Sequence, residues 1–143
     1  MSYILESCEQ MDQICVVRIL KYKNFARFAQ KHHIDDATLC GVVRELEDGM
    51  IHADLGGGVF KQRVARTGQG KRGGYRVIVL YKIGQLALFV HGFPKSEEDN
   101  ISHAQEEKFK DLSRIYLGLS EKELKTLVAT KAFTEVRGYE KET

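Results

Sequence analysis

Between Leu55 and Ser96 the chain contains no aspartate and no glutamate. The same stretch holds eight basic residues: Lys61, Arg63, Arg66, Lys71, Arg72, Arg76, Lys82 and Lys95. All 20 acidic residues lie outside it, together with 14 basic ones, so a chain of net charge +2 has sorted its charge. That small total argues against a protein that coats DNA and points instead to a local basic groove. No apolar run approaches the roughly 18 residues of a membrane helix, and none is expected. The amino terminus, MSYILESCEQMDQ, has no basic region ahead of an apolar one, so no secretory signal is expected there. Cys8, Cys15 and Cys40 are odd in number and form no CxxC, as expected of reduced thiols in a cytoplasmic protein.

Catalytic templates are missing too. His32 and His33 are adjacent and point apart on a helix, and there is no HExxH, so no metal or other cofactor is expected. No GxSxG elbow occurs. GQGKRGG (68–74) lacks the GxxxxGK[ST] spacing and leads into a strand, so it offers no helix N-terminus to a phosphate.

The 143 residues, 43% hydrophobic, suffice for one domain with a real core. Residues 1–13 read as an arm. Ile14 to Leu20 is rich in β-branched residues and suits a strand. Phe25, Phe28, Ala29 and His32 recur at helical spacing. Asp35 is placed to cap a second helix with the stripe Leu39, Val42, Val43 and Leu46, ending at Gly49. The short link between the two predicts a helical hairpin. ADLGGG (53–58) reads as a turn. Three strands follow: one in which Lys61 and Arg63 share a face while Phe60, Gln62 and Val64 take the other, then 74–83, then 85–93. Short links make them an antiparallel meander, with 66–74 as a long hairpin loop and Pro94, the only proline, as the stop. A helix from Ser102 to about Leu117 is expected to pack through Phe109, Leu112, Ile115 and Tyr116. Ser120 and Glu123 fit a capping box for a last helix reaching roughly Phe133, ahead of a frayed 137–143.

What can carry chemistry is the cluster of cations on the sheet, interleaved with Tyr75, Tyr81, Phe89 and Phe93. Cations held on strands bind the phosphates of a polynucleotide while aromatic or guanidinium planes stack on bases. RNA brings its own nucleophile, the 2′-hydroxyl. Cleavage needs that group activated, the phosphorane's charge stabilised and the leaving oxygen protonated. Arginine stays protonated and serves the second need; a lysine crowded by cations has a depressed pKa and can accept a proton. Lys61, Arg63, Arg76 and Lys95 could therefore make a metal-free ribonuclease. The same charges also fit a solvated basic face. His91 could be an acid–base group or a packed side chain, since Val90 and Phe93 beside it are apolar.

ADLGGGVFKQRVARTGQGKRGGYRVIVLY followed by LFVHGFPKSEEDNIS resembles the RelE-like toxins of bacterial toxin–antitoxin pairs, over roughly residues 20–117. The resemblance implies an α+β fold, with a helical hairpin packed on an antiparallel sheet, a basic active surface and a C-terminal helix. It implies an mRNA endonuclease, usually acting in the ribosomal A site, inhibiting translation and neutralised by an antitoxin, expected to be of helix-turn-helix type. The family's paired basic strand residues fall on Lys61 and Arg63, its GYR arginine on Arg76 and its basic residue after the last strand on Lys95. Arg66, Lys71 and Arg72 correspond to RNA contacts. Phe93 fits either an aromatic platform or the core. The stacking tyrosine of the best-studied members has no counterpart here, and 118–143 extends past their usual end. Two other functions remain open: a gyrase poison like the related ParE toxins, and a nucleic-acid-binding module without catalysis.

Overall fold

The computed structural model describes residues 17–66, 70–95 and 101–136, setting aside the side chains of 66 and 70–73. In chain order its elements are β1 (Arg18–Tyr22), α1 (Lys23–Lys31), α2 (Asp36–Glu47), β2 (Ala53–Gly56), β3 (Val59–Arg66), β4 (Gly70–Lys82), β5 (Leu86–Pro94), α3 (His103–Tyr116), α4 (Glu121–Ala129) and β6 (Phe133–Glu135). The strands form one sheet in the order β2-β3-β4-β5-β1-β6. This is a mixed α+β fold. Among the described residues no helix is long and apolar enough to cross a membrane.

The β3–β4–β5 meander is antiparallel, as the sequence predicts. The rest of the architecture amends the expectation of a helical hairpin on an antiparallel sheet. The described chain starts with a strand, and β1 pairs with β5 in parallel, so the sheet is mixed. The helices α1 and α2 are inserted between β1 and β2; α1 packs on β5 and β1, and α2 on β3. A strand precedes the pair, so it is not N-terminal. Ile14 to Val16, the expected start of β1, lie outside the described residues, as do 1–13 and 137–143.

Local chemistry fixes the helices. The Asp35 carboxylate accepts from the Thr38 hydroxyl at 2.7 Å and from the Thr38 backbone N–H at 2.9 Å, and these bonds, the hydroxyl's first, hold its pKa below the usual value. At the other end of α2 Gly49 turns left-handed (φ 82°), and the N–H groups of Gly49 and Met50 donate to Leu46 and Glu45. The end of α4 uses the same geometry with Lys131 (φ 69°) in the glycine's place. The helix therefore stops at Ala129, before the expected Phe133, which instead opens β6 against β1. Phe133 is buried there, 6.0 Å from the Tyr22 ring and 5.2 Å from Tyr116. In α3 Phe109 and Ser113 are the buried positions, with Leu112 and Tyr116 beside them; Ile115, expected to pack, is 58% exposed.

Two apolar layers sandwich the sheet. One lies under α1 and α2 and includes Phe25, Leu39, Val77 and Phe89, with the Phe25 and Phe89 rings stacked at 5.3 Å. The other lies under α3 and α4 and includes Val59, Ile78, Leu80, Leu88 and Phe109. Gly92 faces the first layer. A Cβ there would stand 2.4 Å from the ring of the partly buried Phe28, which packs against Phe25, His32 and Tyr75 and would have to shift. Gly92→Ala is expected to cost about 1–3 kcal/mol by overpacking, read from the midpoint of urea unfolding.

Candidate functional site

The second face of the sheet is apolar only in part. Directly opposed residues of an antiparallel pair share a face, and Arg63 stands opposite Arg76. Lys61, two residues earlier on β3 and opposite Ile78, shares that face, as does Phe93, opposite Arg76 on β5. Lys61, Arg63 and Arg76 thus gather beside the α3 layer, on the side of the sheet away from α1 and α2. Lys61 and Arg76 are half-buried and Arg63 is exposed.

His91 reaches this face through an irregularity. On β5 the pairs Val79–Phe89 and Ile78–His91 leave Val90 as an extra residue, a bulge that shifts the alternation by one. His91 therefore joins Ile78 and Arg76, with its ring 5.6 Å from Phe93 and 5.5 Å from Phe109. Phe93 is 5% exposed, so it offers a partner little surface in this conformation. Lys95 follows the end of β5; its backbone N–H donates to the Gly74 carbonyl at 3.0 Å, and its side chain is exposed. Arg66, Lys71 and Arg72 sit on the backbone of β3 and β4, and their side chains lie outside the described residues. The strands reach Arg66 and Gly70, so most of the expected long loop is strand.

Burial, and after it the nearby Arg76 guanidinium, hold the Lys61 ammonium below its usual pKa; the Glu106 carboxylate of α3 opposes this. Glu106 was not evident from sequence, since nothing local places α3 beside β3. The reason is the glycine turn. Gly57 and Gly58 turn left-handed (φ 65° and 85°), and Ser113 Oγ donates to the Gly57 carbonyl at 2.6 Å. The helix thus lies directly on the link between β2 and β3.

Gln62 and His52 were also missed as organisers of the site strand. The Gln62 side chain is fully buried; its Oε1 accepts from the His52 backbone N–H at 2.8 Å and its Nε2 donates to the Met50 carbonyl at 3.2 Å. A polar residue in an inward slot between Phe60 and Val64 was the available signal. On the opposite face a cleft of about 630 Å³ opens among Leu46, Ile51, Phe60, Tyr81 and Ile83. Lys82 lines it, but Lys61, Arg63, Arg76 and Lys95 do not.

Comparison with curated protein sequences gave no match. The family described as the RelE toxin of the RelE/RelB toxin–antitoxin system matches residues 17–136, from the residue before β1 to the residue after β6. The match covers most of the chain and includes α4 and β6, beyond the motifs that carry the resemblance. This chain belongs to the RelE toxin family, the toxin half of a toxin–antitoxin pair whose partner is an antitoxin.

Proposed function

We propose that this toxin cuts mRNA without a metal, on the ribosome and in its A site, so that translation stops in the cytoplasm until an antitoxin of helix-turn-helix type covers the basic face. The observation that carries the reading is Lys61 beside Arg76 on one face of the sheet, with its pKa lowered by burial and by that arginine. Neutral Lys61 takes the proton of the 2′-hydroxyl, and the 2′-oxygen attacks the adjacent phosphorus. Arg76 and Arg63 stabilise the doubly charged phosphorane. The bond from phosphorus to the 5′-oxygen then breaks, leaving a 2′,3′-cyclic phosphate. The departing oxygen takes a proton, which this reading assigns to the Lys95 ammonium. Arg66, Lys71 and Arg72 hold flanking RNA phosphates. Phe93 and His91 line the site.

The test is purified toxin added to ribosomes stalled on a defined message, with cut sites mapped by primer extension. Cleavage at the A-site codon, leaving a 5′-hydroxyl, is expected. Intact transcripts with blocked gyrase supercoiling would assign the chain to gyrase poisoning. RNA binding with no cut, with or without ribosomes, would make it a binding module.

The acid–base assignment makes a separate prediction with a definite sign. A base works deprotonated, so cleavage rises with pH through the Lys61 pKa, which lies below the ordinary lysine value of 10.5. Glu106 raises that pKa, so Glu106→Gln is expected to move the rise to lower pH. Single-turnover rates against pH for the two proteins check it. A profile that stays in place counts against Lys61 as the base.

A further inference from the structure

We infer that His52 is a positioning residue: its neutral imidazole clamps the outer edge of the strand that carries Lys61 and Arg63, and so sets the cations for cleavage. The inference rests on the RNA-cleavage reading and deepens it, since His52 lies just before the motifs that carry the family resemblance.

The ladder between β2 and β3 runs only as far as Ala53 opposite Lys61. Beyond it the edge of β3 is closed by side chains. Gln62 fixes the chain at Met50 and His52 through its buried amide, at 3.2 and 2.8 Å. The His52 ring then turns back, and Nδ1 accepts from the Arg63 backbone N–H at 2.8 Å. Two side chains thus continue what backbone pairing begins. An acceptor at Nδ1 requires the tautomer with its proton on Nε2, and a second proton would set two donors against each other. The clamp acts on the backbone of Arg63, directly across the ladder from Arg76 and two residues from Lys61. Misplacement of a reacting group by about 1 Å costs on the order of 100-fold in rate. Partial loosening of one strand edge is therefore expected to cost about tenfold.

His52 is exposed, so its replacement leaves the core untouched. In His52→Asn the amide Oδ1 takes the place of Nδ1, two bonds from Cβ, and restores the acceptor without the ring. His52→Ala removes it, and His52→Leu supplies bulk without an acceptor should the alanine variant fail to fold. Two readouts are taken on the full chain: hydrogen exchange of the Arg63 amide, and cleavage of ribosome-bound message at saturating and limiting concentrations. The expected result is faster Arg63 exchange and an approximately tenfold lower maximal rate in His52→Ala, with half-saturation unchanged. Both return to wild-type values in His52→Asn. Wild-type cleavage by His52→Ala, unchanged Arg63 exchange, or an asparagine variant as slow as the alanine one would each overturn the inference. Should wild type cut nothing, the cleavage reading falls separately. RNA affinity then replaces rate as the readout: a tenfold loss in His52→Ala rescued by His52→Asn supports the clamp, and equal affinities overturn it.

Discussion

Lys61→Ala and Arg76→Ala are each expected to lower message cleavage by about 10²- to 10³-fold and to abolish growth arrest on expression, while the protein stays folded. The magnitude is that of removing one preorganised group aimed at charge developing in the transition state. The two losses are not expected to multiply. In the proposed mechanism Arg76 faces the phosphorane, and it also adds to the lowering of the Lys61 pKa; groups that work as a unit give nonadditive effects. Lys61→Arg sharpens the point: it keeps the charge and the phosphate contact, but a guanidinium cannot take up a proton at accessible pH. RNA affinity should survive in Lys61→Arg while cleavage is lost. Neither side chain lies in the core, so the unfolding midpoint should stay close to wild type. Retention of full cleavage by Lys61→Ala would remove the acid–base role and leave phosphate binding alone.

Gly58→Ala is the second large effect, and it acts on stability. Gly58 is left-handed (φ 85°), which costs another residue about 1–2 kcal/mol. A Cβ there would also meet Leu117 Cδ1 and Ser113 Oγ at 2.9 Å, adding about 1–3 kcal/mol of overpacking. The expected loss is therefore about 2–5 kcal/mol in all. Gly57→Ala is the internal control: it is left-handed too (φ 65°), but its nearest neighbour is Lys110 Cγ at 3.6 Å, an ordinary contact. It should show the backbone part alone. Urea unfolding of the two variants separates the terms. Loss of equal size in both would mean that α3 is not held against the turn as the structure has it.

The sequence was informative where a signal is local. Lys61 and Arg63 are two apart on a strand, so their common face followed from the period of the pleat. Asp35, Gly49 and the Ser120–Glu123 pair marked helix ends through hydrogen bonds they make to near neighbours. The site beyond β3 was less legible. By strict alternation His91 and Phe93 would fall with Phe89 on the α1 side; the bulge at Val90 reverses them, and Gly92 two residues on does not say which residue is the extra one. The strand β6 was hidden because Lys131 ends α4 in a conformation that usually selects glycine. The parallel pairing of β1 with β5 joins segments far apart in the chain, and no window of sequence records it. Glu106 beside Lys61 is legible only once α3 is seated on the glycine turn.

The placement of β1 between β5 and β6 bears on how the toxin is born. The hairpins from β2 to β5 join neighbours in the chain and can zip as they emerge, but β1 must wait for β5 to dock and for Phe133–Glu135 to cover its other side. At about 5–20 residues per second, the first strand spends several seconds of synthesis without its partners. The nascent chain thus carries an unpaired backbone edge on β1 until Phe133–Glu135 has been made, in a protein whose proposed target is the ribosome.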